Sequence, residues 1–179
     1  SWYDDDGWLA ELDKWRANTA RLIGLPSHDC VVPKVSAGQG LRAVLNALIG
    51  PRPINVVATT GEFDSIDFIL KTYAMKCAAN VTWVRPSRSD RGVPLYDSRD
   101  IVAAISRDTD LVVFSRVFYM TAQVLGGYEE VVAAAHESGA LVVADLFHAA
   151  GVIPLDMERE GYDFAIGGSY KYLRGGPGA

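Results

Sequence analysis

Short apolar runs alternate along the chain with segments whose apolar residues recur every three or four positions. Compact runs rich in β-branched residues predict strands at residues 54–58, 81–84, 110–114, 141–144 and 163–166, and a short one at 30–32. The longer period predicts helices at residues 8–22, 40–49, 65–78, 97–105 and 128–137. Asp64 or Ser65 is the expected N-cap of the third helix, and Gly139 follows the last one.

Strands that alternate with helices favour an α/β fold, in which a mostly parallel sheet is flanked by helices. No repeat or linker-like stretch divides the chain, so we assign residues 1–179 to one domain. In such sheets the ligand lies beyond the carboxyl ends of the strands. The segments to inspect are therefore residues 34–38, 59–65, 115–121, 145–148 and 167–171.

Composition narrows the functional classes. The net charge of −5 argues against nucleic acid as a partner, and no apolar run approaches the ~18 residues of a membrane span. The acidic N-terminus differs from a signal peptide, so we expect a cytoplasmic protein. Cys30 and Cys77 are too few for a metal or disulfide framework, and we interpret both as buried thiols.

The chain also looks like part of a longer protein. It begins without Met, and it stops directly after a glycine-rich turn at residues 174–178. We therefore expect a fragment that is incomplete on its C-terminal side.

An acid and a lysine carry the most specific chemistry. Asp145 closes an apolar run, and Lys171 follows 26 positions later, between a Ser-Tyr pair and a glycine-rich tail. A carboxylate that keeps a heteroaromatic nitrogen protonated and an amine that forms a Schiff base are two groups that a pyridoxal 5'-phosphate (PLP) enzyme needs. Each has an ordinary alternative, because an Asp after a strand often caps a helix and a loop lysine is usually solvated.

Three further features are weaker when taken alone. Residues 36–40 are small and precede a helix, which suits a phosphate but also an ordinary helix cap. Phe63 either belongs to the core or stacks on a flat ring. His148, three residues after Asp145, is either structural or packs over the same ligand.

Taken in order, these motifs resemble those of kynureninases, within the class V aminotransferase group of fold-type-I PLP enzymes. The resemblance covers the chain from about Trp8 onward and roughly half of a full-length enzyme. Its most specific parts are Ser169-Tyr170-Lys171-Tyr172-Leu173 with Gly176-Pro177-Gly178, Asp145-x-x-His148-Ala149-x-Gly151, and Ser115-x-Val117-x-Tyr119-x-Thr121.

The resemblance implies a role for each candidate residue. Lys171 would form the Schiff base and move protons, Asp145 would pair with the pyridinium nitrogen, and Phe63 would stack on the ring. The other implied cofactor contacts are the phosphate-binding Ala37, Gly38 and Ser65, together with His148 and Tyr170. Tyr170 would lie near the phosphate or take part in proton transfer, and is counted with Lys171 and Asp145 as catalytic.

The implied activity is hydrolysis of the Cβ–Cγ bond of kynurenine or a related amino acid, which gives alanine and an aromatic acid. Another class V reaction, such as transamination or cysteine desulfuration, stays open, as does a PLP-binding module without catalysis. The family also implies a homodimer with a small amino-acid substrate.

Several positions depart from the kynureninase pattern. Gly38 stands where a threonine is usual, Ile66 where an acid is usual, and Arg116 and Phe118 where His and Asn are usual. Ala122 replaces a glycine. We expect these changes to lie around the substrate, and they leave its identity open.

Overall fold

The computed structural model describes residues 7–176. The helices are α1 (Trp8–Leu22), α2 (Ala37–Leu48), α3 (Asp64–Met75), α4 (Ser98–Ala104), α5 (Tyr128–Ser138) and α6 (Met157–Glu160). The strands are β1 (Ile54–Thr59), β2 (Ala79–Val84), β3 (Arg88–Asp90), β4 (Val93–Leu95), β5 (Leu111–Ser115), β6 (Leu141–Asp145) and β7 (Phe164–Ile166).

Five strands form one parallel sheet in the order β2-β1-β5-β6-β7, so the predicted α/β class is confirmed. Strands β3 and β4 form a separate antiparallel hairpin. None of the helices within residues 7–176 is long and apolar enough to cross a membrane.

The sheet is buried on both faces, as β5 illustrates. All of its residues are buried, and its side chains alternate between two hydrophobic clusters. Val112 and Phe114 pack in the cluster that contains α5, whereas Leu111 and Val113 pack with α2 and α3. Helices on both faces explain why the strands appear in the sequence as continuous apolar runs.

The predicted strand at residues 30–32 is wrong. A short 3-10 helix occupies His28–Cys30, and the Ser27 hydroxyl accepts a hydrogen bond from its Asp29 amide (3.1 Å). The carbonyl of Val31, which a sheet neighbour would pair, accepts instead from Arg16 Nε (3.0 Å). A side chain therefore satisfies this backbone, and it does not join the sheet.

Two helices differ from prediction at their ends. Helix α2 begins three residues early because Ser36 caps it, accepting from the amide of Gln39 (3.1 Å). Helix α3 ends at Met75 because Cys77 takes a left-handed conformation (φ 53°) and its amide bonds back to the Ala74 carbonyl (3.0 Å).

Other local predictions need correction. Cys30 and Cys77 are both exposed, so the interpretation as buried thiols is wrong. The N-cap of α3 is Phe63, which makes no side-chain cap, instead of Asp64 or Ser65. The β3–β4 hairpin, with Arg91 and Gly92 both at positive φ in its turn, and the four-residue helix α6 were not predicted.

Candidate active site

Three loops meet at the carboxyl edge of the sheet. Asp145 is the last residue of β6, and it lies in register with Ser115 at the end of β5 and with Ile166 at the end of β7. The loop after β1 and the start of α2 complete this edge. The parallel arrangement thus brings together segments that are far apart in the sequence.

A cavity of about 130 Å³ opens at this edge. Of the eight predicted site residues, all except His148 line it. The lining consists of Lys34, Val35, Ser36, Ala37, Gly38, Phe63, Ser65, Asp145, Phe147, Gly167, Gly168, Tyr170 and Lys171. His148 lies directly behind, in contact with Lys171.

Asp145 is a buried acid that bonds to no cation within residues 7–176. Its side chain accepts one hydrogen bond, from the amide of Phe147 (2.8 Å), and the residue is 3% exposed. Burial raises its pKa to about 6, and the Phe147 amide and the charge of Lys171 oppose that rise. A carboxylate held at this cost in a cavity is typical of a site that awaits a cationic partner.

Lys171 faces the same cavity and contacts His148. The distance from Lys171 Nζ to His148 Nε2 is 2.6 Å. Burial, followed by the charge of Lys171, lowers the pKa of His148, so its ring is favoured as a neutral hydrogen-bond acceptor. The pair is therefore arranged for His148 to accept a hydrogen bond from the amine.

Aromatic rings surround the amine. Lys171 Nζ lies 5.0 Å from the ring centre of Phe63 and 4.9 Å from that of Phe147. Tyr119 packs edge-on against Phe63 (5.2 Å), and Tyr170 packs edge-on against Phe147 (5.0 Å). Phe63 is thus partly buried against the core and also lines the cavity, and its stacking on a flat ring remains a prediction.

The start of α2 provides hydrogen-bond donors at one end of the cavity. Within the described chain, the amides of Ala37 and Gly38 have no protein acceptor. An added Cβ at Gly38 would lie 3.0 Å from Ile69 Cδ1, so a larger residue would be crowded. Ser65, at the start of α3, and Lys34 also line the cavity. Free amides at a helix start suit an anion.

The sequence reasoning missed two parts of this site. Phe147, two residues after Asp145, both lines the cavity and donates the amide that Asp145 accepts. Glu62 is buried at the same edge and bonds to Thr59 and Ser115. The available signal was the position of each next to a predicted site residue in a loop that follows a strand.

Most departures from the family pattern lie outside the cavity. Ile66 is buried in the core, Arg116 pairs with Glu160 (3.6 Å), and Phe118 stacks on Tyr96 (4.4 Å). Of the five departing positions, Gly38 lines the cavity, whereas Ile66, Arg116, Phe118 and Ala122 do not. That they surround the substrate remains a prediction. Pro177 and Gly178 of the predicted motif lie outside the described residues.

Together, the fold and the cavity define a parallel α/β protein with a candidate ligand site at the carboxyl edge of its sheet. The aminotransferase class-V family matches residues 8–178, and the chain belongs to this family.

Among curated relatives, kynureninase from Pseudomonas fluorescens is 31% identical over 186 residues, which covers 100% of this chain and 42% of the relative. Kynureninase from Shouchella clausii is 28% identical and is covered to 44%. The chain thus spans less than half the length of these relatives.

Solved structures show the same fold. The cysteine desulfurase CsdA from Escherichia coli superimposes with a TM-score of 0.82 at 17% identity, over 95% of this chain and 42% of that one. A cysteine desulfurase from Thermococcus onnurineus gives 0.81 at 22% identity, over 94% and 41%.

Proposed function

We propose that this chain forms the PLP-binding part of an enzyme and that the enzyme is a kynureninase-like hydrolase. The main supporting observation is that the buried carboxyl of Asp145 and the amine of Lys171 line one cavity beside the Phe63 ring. The kynureninase relatives, which match the whole chain, support the choice of reaction class.

The polar groups of the cavity fit PLP. The free amides of Ala37 and Gly38 suit its phosphate, and the buried acid of Asp145 suits a protonated ring nitrogen. The amine of Lys171 suits its aldehyde, and the ring of Phe63 suits its flat face. The cavity therefore offers a matching group for each part of the cofactor.

Bound PLP would supply an electron sink for the substrate's α-carbon. Asp145 would keep the proton on the ring nitrogen, because an anion next to that nitrogen favours its charged form. Phe63 would cover one face and exclude water from it. The amides at the start of α2 would fix the phosphate end, which sets the orientation of the ring.

Lys171 would attach the cofactor covalently and then move the proton at the substrate's α-carbon. His148 Nε2, 2.6 Å from Lys171 Nζ, would accept a hydrogen bond from the amine and so hold it in position. Tyr170, which also lines the cavity, is assigned to proton transfer or to the phosphate end.

The overall reaction consumes kynurenine and water and yields alanine and anthranilate. Incubation of the full-length protein with PLP and kynurenine, followed by product analysis, tests this proposal. Anthranilate in equal amount to alanine is the expected result. A keto acid in place of alanine would instead support transamination.

Cysteine desulfuration is the other class V reaction to compare, because the structural neighbours include desulfurases. Neither Cys30 nor Cys77 lines the cavity. Release of sulfide from cysteine, without anthranilate from kynurenine, would overturn the hydrolase proposal in its favour. PLP binding with no turnover of either substrate would support a non-catalytic module.

A homodimer and a cytoplasmic location remain predictions. Light scattering of the full-length protein at several concentrations checks the first, and fractionation of the source cells checks the second.

A further inference from the structure

Glu62 is a buried acid that the proposed mechanism does not use. It follows β1, immediately before Phe63, and is 3% exposed. Burying a carboxyl group is costly unless its oxygens find partners. Its surroundings therefore indicate in which charge state it is held.

The oxygens of Glu62 connect two neighbouring strand ends. Oε1 lies 2.6 Å from the Thr59 hydroxyl oxygen and 3.2 Å from the Ser115 amide nitrogen, and Oε2 lies 2.7 Å from the Ser115 hydroxyl oxygen. Thr59 ends β1 and Ser115 ends β5, and Ser115 lies in register with Asp145. Glu62 thus joins β1 to the strand that borders the predicted catalytic acid.

No cationic side chain within residues 7–176 forms an ion pair with Glu62. Arg116, next to Ser115 in sequence, turns instead to Glu160. The titratable groups that act on Glu62 or respond to it are Asp145, a like charge from β6, and Tyr96, whose hydroxyl bonds to Thr60. Burial, with Asp145 adding to it, raises the pKa of Glu62 to about 8.

We propose that Glu62 is a positioning residue that ties the ends of β1 and β5 together as a neutral acid, so that Asp145 is the carboxylate that bears the charge next to the cofactor. This inference rests on the proposed function. A neutral acid must donate one hydrogen bond, and the hydroxyl of Thr59 or of Ser115 can accept it. Two ionised carboxyl groups this deep would instead repel each other.

Infrared spectroscopy of the cofactor-free, full-length protein tests the charge state directly. Labelling glutamate with ¹³C shifts its carboxyl bands away from those of aspartate. We expect a protonated glutamate band at pH 7 that disappears as the pH passes through about 8. The band should be absent in Glu62→Gln and retained in Glu160→Gln, the matched control, because Glu160 is also buried but faces Arg116.

An ionised Glu62 at pH 7, seen as no protonated band in the unmodified protein, would overturn the proposal. If Glu62→Gln does not fold, Ser115→Ala replaces it. Loss of the Ser115 hydroxyl should shift the band to higher frequency, and an unshifted band would contradict the contact.

PLP titration then tests the link to the cofactor. Glutamine has the size and neutrality of the protonated acid, so Glu62→Gln should bind PLP within about twofold of the unmodified protein, whereas Glu62→Ala should bind roughly tenfold more weakly because buried donors lose their partner. Equal weakening in both variants would show that the negative charge is needed and would refute the proposal. If the unmodified protein binds no PLP, the proposed function fails, while the infrared result still decides the state of Glu62.

Discussion

Buried charged side chains have contrasting surroundings in two regions of the molecule. One residue after β5, Arg116 lies 3.6 Å from Glu160, donates a hydrogen bond to the Leu125 carbonyl (2.7 Å), and stacks over the ring of Tyr128 at the start of α5 (3.8 Å). At the end of β6, Asp145 is as deeply buried, but among the described residues its side chain has one backbone amide as a hydrogen-bond partner and no bonded cation.

This difference distinguishes a charge that stabilises the fold from one that is available to a ligand. In a buried ion pair the two charges compensate each other within the fold, and removing one of them leaves an uncompensated charge. An acid whose partner is missing weakens the fold by itself and gains by binding a cation, which is the pattern of ligand sites. The structure therefore predicts that mutations in the two regions change the free energy of unfolding in opposite directions and by different amounts.

The largest effect is expected for Lys171→Ala. Loss of the amine should prevent covalent attachment of PLP and reduce turnover by roughly 1,000-fold or more, while the protein stays folded. Absorbance of the protein–cofactor adduct and steady-state rates measure this. Lys76→Ala, an exposed lysine just after α3, is the control, and equal loss there would contradict a special role for Lys171.

In the paired region we expect a large loss of stability. Arg116→Met leaves Glu160 buried without its cation and should lower the free energy of unfolding by about 3–5 kcal/mol. Urea denaturation measures it. The exposed pair of Arg52 and Asp110 (2.7 Å) provides the control, because Arg52→Met should change stability little. A similar loss of stability in both variants would show that burial of the Arg116–Glu160 pair does not increase its contribution to stability.

At Asp145, the expected change in stability has the opposite sign. The folded pKa of Asp145 is raised from 3.8 to about 6, so the cofactor-free protein loses stability as the pH rises through this interval. Asp145→Asn removes that cost and should stabilise the cofactor-free protein at pH 7 by about 1–3 kcal/mol, while it weakens PLP binding.

Thermal unfolding of the cofactor-free protein between pH 4 and pH 7 measures this. The melting temperature of Asp145→Asn should depend less on pH over this range than that of the unmodified protein. Asp64→Asn, at an exposed acid on α3, should bring no such gain. Destabilisation by Asp145→Asn at pH 7 would show that the acid is already paired within the fold.

The pattern of hydrophobic residues was enough to predict the sheet and the position of the acid. The periodicity of α1 and the glycine after α5 fixed those helices, and the end of the apolar run located Asp145 at the carboxyl edge. Return of the chain through β7 then brings Lys171 to the same edge. Site residues that follow strands were predictable because parallel strands end together.

Side-chain direction beyond a strand end was not predictable. Arg116 comes one residue after β5, and nothing in the local sequence shows that it turns into the core toward Glu160, 44 positions later. The burial of Glu62 depends likewise on Ser115, a contact between distant segments. At residues 30–32, the apolar pattern indicated a strand, but a serine cap and an arginine side chain satisfied the backbone.

The smallest effect is expected beside the cavity, at the exposed carboxylate of Asp64. Tyr119 donates a hydrogen bond to Asp64 (3.0 Å), and this bond is the main reason why the pKa of Tyr119 is raised. Tyr119→Phe keeps the ring against Phe63 and should change stability by less than about 1 kcal/mol, with PLP affinity nearly unchanged. Tyr119→Ala removes the ring and should weaken PLP binding more, because Phe63 loses its edge-on neighbour. Calorimetry and PLP titration of both variants decide whether the hydrogen bond or the packing supports the cavity wall, and equal losses in the two would assign that support to the Asp64 bond.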